Sequence, residues 1–122
     1  MDASFYNTAT GRVLLALRSA SSLAAFVEAH GLPGEAWPGV DDQADLSRAL
    51  ATVRSAGHAD YTKLDTHVRA LAVPVCLPGN RLRAALGLFY PTGRAVPGRA
   101  GGLVRRLRET GAEIAALYER MG

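Results

Sequence analysis

The chain has 122 residues, 48% of them hydrophobic and 20% charged, which is enough for one folded domain with its own core. No apolar run approaches the roughly 18 residues that a membrane span requires, and the amino terminus lacks the basic-then-apolar pattern of an export signal. The single cysteine, Cys76, excludes an internal disulfide and a paired-cysteine metal site. We therefore expect one cytoplasmic domain, residues 1–122, with no membrane partner.

Charge is distributed unevenly along the chain. Residues 1–60 carry four Arg against seven acidic residues, whereas residues 61–122 carry ten basic residues against four acidic ones. The net charge of +3 permits contact with nucleic acid but does not demand it. In the C-terminal segment the basic residues are interleaved with Glu109, Glu113 and Glu119, a pattern that favours a solvated, ion-paired helix face. The basic residues concerned are Arg99, Arg105, Arg106, Arg108 and Arg120.

Three helices are predicted in the first half of the chain, each from a capping residue followed by an apolar stripe. The loop-like segment 34–39 separates the second helix from the third, because its glycines and prolines interrupt the helical period. The first helix is expected from residue 8 to about Ser19, with Thr8 or Thr10 as its N-cap. The second is expected from Ser21 or Ser22 to Gly31, and the third from Asp41 or Asp42 to Gly57.

Beyond Ala59 the apolar period changes from helical to alternating. Val68 to Leu77 is apolar on both faces, which predicts a buried strand. Because proline lacks an N–H, Pro74 predicts an unpaired stretch, an edge or a bulge. Residues 78–80 (Pro-Gly-Asn) predict a tight turn into a return strand from Leu82 to Phe89.

A long C-terminal helix is predicted from a stripe of Leu103, Leu107, Ile114, Leu117 and Met121. Three helices, a hairpin and a final helix predict an α+β fold, in which an antiparallel sheet of a hairpin plus short strands packs with helices. Two or three strands form a small sheet for so many helices. Either a partner completes that sheet or earlier strands are absent.

Four segments resemble, in the same order, motifs of the C-terminal effector-binding domain of IclR-family bacterial transcription regulators. The resemblance covers residues 7–121 and implies a truncated GAF- or profilin-like effector domain, without the family's winged helix-turn-helix or opening strands. Ala9-Thr10-Gly11-Arg12 corresponds to the family's small residues and Gly-Lys ahead of an apolar helix. Gly57-His58, followed by Asp60, corresponds to its Gly-Tyr pair before an acidic stretch. Residues 69–75 correspond to its Arg-Cys-Ile-Ala-Ala-Pro-Val strand, and residues 87–91 to its Ser-x-Ser-Gly-Pro strand end.

The resemblance implies a module that senses a small organic acid or an aromatic metabolite, forms a homodimer or tetramer and has no enzymatic activity. It implies DNA binding only through a winged helix-turn-helix that this chain lacks. The alternative is a ligand-free interaction module that pairs with full-length relatives and modulates their DNA binding.

Eight residues are candidates for the ligand site. Ala9, Thr10 and Gly11 lie at a helix start, where unpaired N–H groups suit a carboxylate; plain capping by Thr8 or Thr10 is an equal alternative. The resemblance also makes Asp60 a pocket acid, whereas the residues alone favour a surface carboxylate or a partner for Arg69.

The remaining candidates lie on one face of the predicted hairpin. Val68 and Ala70 would form the floor of the site, and Gly87 would leave space beside the ring of Phe89. That arrangement would accept a planar or apolar ligand, unless Phe89 itself fills the cavity.

Catalytic and metal chemistry are not expected. A reactive thiol would need His58 or His67 near Cys76, but Cys76 lies in an apolar strand, where a free cysteine is usually inert packing. The three histidines have no regular spacing with Cys76 or with acidic residues, so we assign no metal and no cofactor.

Overall fold

The computed structural model describes residues 5–63, 65–77, 83–92 and 98–121. It confirms the predicted α+β class, since these residues form four helices and a three-stranded antiparallel sheet. The predicted turn at residues 78–80 lies outside the described residues. The elements are α1 Ala9–Ala16, α2 Ala20–His30, a 3-10 turn Gly34–Ala36, α3 Gln43–Ala56, β1 Ala59–Lys63, β2 Val68–Cys76, β3 Arg83–Pro91 and α4 Arg99–Met121.

The helix ends follow the predicted capping chemistry, with one shift. The side-chain oxygen of Thr8 accepts the N–H of Gly11 at 3.0 Å and starts α1. Asp42 caps α3, and Gly57 ends it with a left-handed φ of 75°. The second helix begins earlier than predicted, because Ser19 is its N-cap, and α1 therefore ends at Ala16 rather than near Ser19.

The sheet has the order β1-β2-β3 and is antiparallel throughout. Its first strand, Ala59–Lys63, was not anticipated, because Ala-Asp-Tyr-Thr-Lys has little apolar alternation. The β1 ladder ends where Ala59 pairs with Ala72. Pro74 therefore lies beyond the last β1 pair and is unpaired on that side, which is one of the three alternatives that the sequence predicts, whereas on its other side it pairs with Ala85.

The two faces of the sheet pack against different helices. Ala59 and Ala72 face α1, where they contact Ala9 and Val13. Alternate residues of β2 and β3 face α4 and form a second cluster, which contains Leu71, Val73, Leu86, Leu88, Val104 and Leu107. A third cluster joins the first three helices around Tyr6, Leu15, Phe26, Leu46 and Leu50. The sheet thus separates α1 from α4.

Only the first half of α4 is buried as its stripe predicts. Val104, Leu107 and Gly111 pack against the domain. The later stripe residues are exposed, with Ile114 at 42%, Leu117 at 53% and Met121 at 79%. None of the described helices combines the length and the apolar character needed to cross a membrane.

Candidate functional site

The start of α1 and the inner face of the β2–β3 hairpin line one groove of about 410 Å³, here called the α1–hairpin groove. Six of the eight residues proposed from sequence line it: Ala9, Thr10, Val68, Ala70, Gly87 and Phe89. Its wall also includes Asn7, Thr8, Tyr61, Lys63, Leu71 and Leu88. Two segments far apart in the chain are thereby brought to one place.

Strand register explains why these residues meet. Ala70 pairs with Tyr61 on one side and with Phe89 on the other, so the three side chains stand abreast on the α1 face. Lys63 and Val68 form the next row along the same face. Because side chains alternate across a strand, this face receives every second residue of all three strands.

Gly87 permits the close approach of α1 to the sheet. A Cβ at this position would lie 2.7 Å from Thr10 Cγ2 and 3.0 Å from the Leu71 carbonyl oxygen. The space that the sequence suggested for a ligand at Gly87 is therefore occupied by the Thr10 methyl group. The groove lies beyond this contact, toward Ala70 and Phe89.

Phe89 does not fill the groove. Its side chain is 78% exposed, although the residue lines the groove wall. The half-buried Val68 and Ala70 form an apolar floor beside it. This arrangement leaves an aromatic face at the rim of a shallow, largely apolar groove.

The start of α1 lines the groove with Thr8, Ala9 and Thr10. Thr8 caps α1, as the alternative interpretation held, and its oxygen engages the Gly11 N–H. Gly11 is buried and is not among the residues that line the groove. The N–H groups of Ala9 and Thr10 belong to the first turn, whose donors have no acceptor within the helix. These two groups carry the partial positive charge of the helix start.

Tyr61 and Lys63 are groove residues that the sequence analysis missed. Both lie on β1, which was not recognised as a strand, and β1 alternation sends them to the α1 face. Lys63 is the only lysine of the chain. An alternating pattern counted from Ala59 would have indicated them, since Ala59, Tyr61 and Lys63 share a face.

Asp60 is not brought to the groove. Alternation in β1 places it on the α4 face of the sheet, diagonal to Arg69. Arg69 donates to the two carboxylate oxygens, from Nε at 2.9 Å and from Nη2 at 2.5 Å. This pairing with Asp60 raises the pKa of Arg69. The structure thus has Asp60 as the partner of Arg69, and the proposed ligand contact at this groove has no geometric support.

The buried Arg12 contacts Tyr61, one of the residues that line the groove. The Arg12 guanidinium carbon lies 4.0 Å from the Trp37 ring centroid and 4.1 Å from that of Tyr61. Its Nε donates to the Tyr6 carbonyl oxygen at 2.7 Å. Burial lowers the pKa of Arg12 to about 10, so the side chain stays cationic at neutral pH. Arg12 therefore fixes the ring of Tyr61 and places a positive charge behind the groove wall.

Cys76 and the histidines belong to no candidate metal group in the described part of the chain. Cys76 ends β2 and is exposed, which corrects the expectation of a buried packing role. It does not line the α1–hairpin groove. Among the described residues, no three His, Cys, Asp or Glu side chains are grouped closely enough to hold a metal ion.

A model of the family described as "Bacterial transcriptional regulator IclR C-terminal" matches residues 2–116. The chain belongs to the IclR family. This membership confirms the resemblance drawn from the four motifs, and it confirms that the chain is not an enzyme, because IclR proteins are transcriptional regulators. No curated protein sequence matches the chain significantly.

Solved structures of IclR-family regulators share the fold. The inducer-binding domain of PobR from Acinetobacter, a double mutant in complex with 3-hydroxybenzoic acid, is 27% identical, with a TM-score of 0.73. The C-terminal domain of the E. coli regulator KdgR is 26% identical, with a TM-score of 0.80. A regulator from Alicyclobacillus acidocaldarius is also 26% identical, with a TM-score of 0.76.

This IclR chain is shorter than the proteins it resembles. The three alignments cover 91%, 93% and 93% of its own length. They cover 65% of the PobR domain, 70% of the KdgR domain and 45% of the Alicyclobacillus regulator. The activities and partners of those whole proteins are therefore not carried over directly.

Proposed function

We propose that this chain is a ligand-sensing, self-associating effector-binding domain of an IclR-type transcription regulator. Residues 1–122 form a single, partial domain of this kind, which acts in the bacterial cytoplasm. Its ligand is a small organic acid, with an aromatic carboxylate as the favoured class. The observation that carries the proposal is the convergence of the α1 start and the hairpin face on one groove.

The size and lining of the groove suit a small planar molecule. Its volume of about 410 Å³ lies within the ordinary range of small-molecule sites. The floor at Val68 and Ala70 is apolar, and the rings of Tyr61 and Phe89 flank Ala70 on either side. An aromatic ring can therefore pack between two side-chain rings over a small residue.

The charges around the groove favour an anion. Lys63 is a wall residue, and the first-turn N–H groups of α1 present partial positive charge. Arg12 adds a buried cation behind Tyr61. Asp60, which is adjacent to Tyr61 in sequence, is held by Arg69 on the other face of the sheet. The PobR inducer-binding domain in complex with 3-hydroxybenzoic acid supports the same ligand class, since that molecule is an aromatic carboxylic acid.

A ligand can regulate only through unequal affinity for two conformations or assemblies. We propose that occupancy of the α1–hairpin groove changes how copies of the domain associate. The change would be passed to a winged helix-turn-helix in the same regulator or in a partner, which would make the contact with DNA.

A thermal-shift titration tests the proposal, with 3-hydroxybenzoate as the probe and 3-hydroxybenzyl alcohol as the uncharged control. A ligand at 100 times its Kd stabilises the folded state by about 2.7 kcal/mol. The carboxylate should raise Tm in a concentration-dependent manner. The alcohol should bind with an affinity at least tenfold lower, so that a higher concentration is needed for the same rise in Tm.

The variant Lys63→Gln should weaken carboxylate binding by roughly five- to tenfold, because it removes a partly screened cation from the wall. Arg106→Gln, which removes one exposed charge from α4, is the matched control and should bind like the original chain. Equal responses of the two variants, or no carboxylate-induced shift at millimolar concentrations, would contradict the proposed site and would favour the ligand-free interaction module.

A further inference from the structure

The ring of Tyr61 contacts a cation that is itself firmly held. The Arg12 guanidinium carbon lies 4.1 Å from the centroid of this ring and 4.0 Å from that of Trp37. Arg12 is 7% exposed, and its Nε donates to the Tyr6 carbonyl oxygen at 2.7 Å. Tyr6 is fixed in turn, since its hydroxyl donates to the Gly31 carbonyl oxygen at 2.7 Å. The cation that stacks on Tyr61 is thus restrained by several separate segments of the chain.

Core packing restrains only part of the Tyr61 side chain. This side chain packs against the buried cluster that contains Ala59 and Ala72. Tyr61 also lines two cavities, the α1–hairpin groove and a second cavity of about 540 Å³ that Arg12 and Trp37 help to form. Because a guanidinium plane stacks on an aromatic face, Arg12 supplies the contact that holds the ring from the side of the second cavity.

We infer that Tyr61 determines the preference of the groove for aromatic over saturated carboxylates, and that Arg12 is the positioning residue that holds the Tyr61 ring ready for the ligand. This inference rests on the proposed function and names the residue that sets its ligand class. Ordering a mobile side chain on binding costs affinity, and a ring that is already held avoids that cost. An aromatic ligand gains more from contact with the Tyr61 ring than a saturated ligand of the same charge does.

The place of Tyr61 in the sheet suits this role. Tyr61 pairs with Ala70, whose small side chain leaves room beside the ring on the α1 face. Lys63 lies two residues further along the same face and also lines the groove. Residues two apart in a strand are separated by about 7 Å. A ligand ring on Tyr61 can therefore direct a carboxylate toward the Lys63 cation.

Isothermal titration calorimetry of the whole chain tests the inference, with 3-hydroxybenzoate and cis-3-hydroxycyclohexanecarboxylate as matched probes. The probes have the same charge and the same hydroxyl group and differ in the aromaticity of the ring. The original chain should bind the aromatic acid about three- to tenfold more tightly. Tyr61→Leu should remove most of this preference, whereas Tyr61→Phe keeps the ring and should retain it. Tyr118→Leu, which removes an exposed ring from α4, is the control and should behave like the original chain.

Arg12→Lys tests the positioning role, because it keeps the charge but loses the planar group, and the preference for the aromatic probe should fall by about two- to threefold. A merely structural role would weaken both probes by the same factor and leave their ratio unchanged. Arg18→Lys is the matched control, since Arg18 lies 5.0 Å from the ring centroid of Phe26 and does not line the groove. In the ligand-free chain, ¹³C relaxation should show a restricted Tyr61 ring that becomes more mobile in Arg12→Lys and not in Arg18→Lys. Circular dichroism establishes that each variant is folded at the temperature of measurement.

The outcomes separate this inference from the proposed function. If both probes bind but Tyr61→Leu keeps the original preference, the inference is overturned and the proposed ligand site stands. The same holds if the Tyr61 ring is equally mobile in the original chain and in Arg12→Lys. If neither probe binds the original chain at millimolar concentrations, the proposed function is overturned together with the inference.

Discussion

Replacing Gly87 with alanine tests the close approach of α1 to the hairpin. The added Cβ would lie 2.7 Å from Thr10 Cγ2, whereas ordinary contacts begin near 3.4 Å. Overpacking of this kind costs about 1–3 kcal/mol, and the loss of glycine's unfolded-state freedom offsets roughly 0.4–1 kcal/mol of that cost. We expect a net loss of about 1–2 kcal/mol in the free energy of unfolding, which corresponds to a Tm lower by about 3–8 °C.

The assay is urea unfolding followed by circular dichroism and by the fluorescence of Trp37, the single tryptophan. Thr10→Ser removes the methyl group that the new Cβ would meet, so the double variant should recover about 1 kcal/mol. Gly101→Ala on α4 is the control, because a Cβ there meets nothing within 4 Å and should stabilise the helix by about 0.5–1 kcal/mol. A Gly87→Ala protein as stable as the original, or no coupling to Thr10, would refute the contact.

Two further substitutions distinguish residues that stabilise the domain from residues that contact the ligand. Arg12→Lys keeps the charge but loses the planar guanidinium that stacks between Trp37 and Tyr61. The free energy of unfolding should fall by about 1–2 kcal/mol, and the Trp37 emission should shift. Unchanged emission would mean that the stack is absent. Asp60→Asn breaks a partly exposed ion pair with Arg69, which should lower the free energy of unfolding by at most about 1 kcal/mol and leave the thermal response to 3-hydroxybenzoate unchanged. A weakened response in the Asp60 variant would return that residue to the ligand site.

Much of the fold could be predicted because local chemistry and tertiary structure agree. Thr8, Asp42 and Gly57 cap helices in the structure as their side chains or backbone freedom require. The alternation in β2 predicted a strand that is apolar on both faces, and Pro74 predicted an unpaired stretch, an edge or a bulge, of which the structure shows an unpaired stretch on the β1 side. In each case a few adjacent residues contain the signal.

The groove was only partly predictable, because β1 is stabilised by its neighbour rather than by its own pattern. Ala-Asp-Tyr-Thr-Lys carries little apolar alternation and forms a strand by pairing with β2. Because this strand was not recognised, Tyr61 and Lys63 were left out of the groove. Asp60 was placed at the groove by the resemblance, whereas the residues alone allowed the pairing with Arg69 that the structure shows. The face of each β1 residue follows from alternation once the strand is recognised, but a short polar strand has little sequence signal of its own.

Burial of single side chains was the least predictable feature. The charged side chain of Arg12 would ordinarily face solvent from its helix. In the structure two aromatic rings from distant segments enclose it. The stripe of α4 continues to Met121, but the described sheet provides contacts only as far as Gly111. Both outcomes depend on which segments lie nearby in three dimensions.

An NMR titration with 3-hydroxybenzoate tests the central claim most directly, because it reports each backbone amide separately. The largest chemical-shift changes should lie at Ala9, Thr10, Ala70 and Gly87, where the first turn of α1 meets the hairpin. Asp60 and the exposed half of α4 should change little. Saturable shifts confined to other surfaces, or no saturable shifts at millimolar ligand, would contradict a ligand site in the α1–hairpin groove.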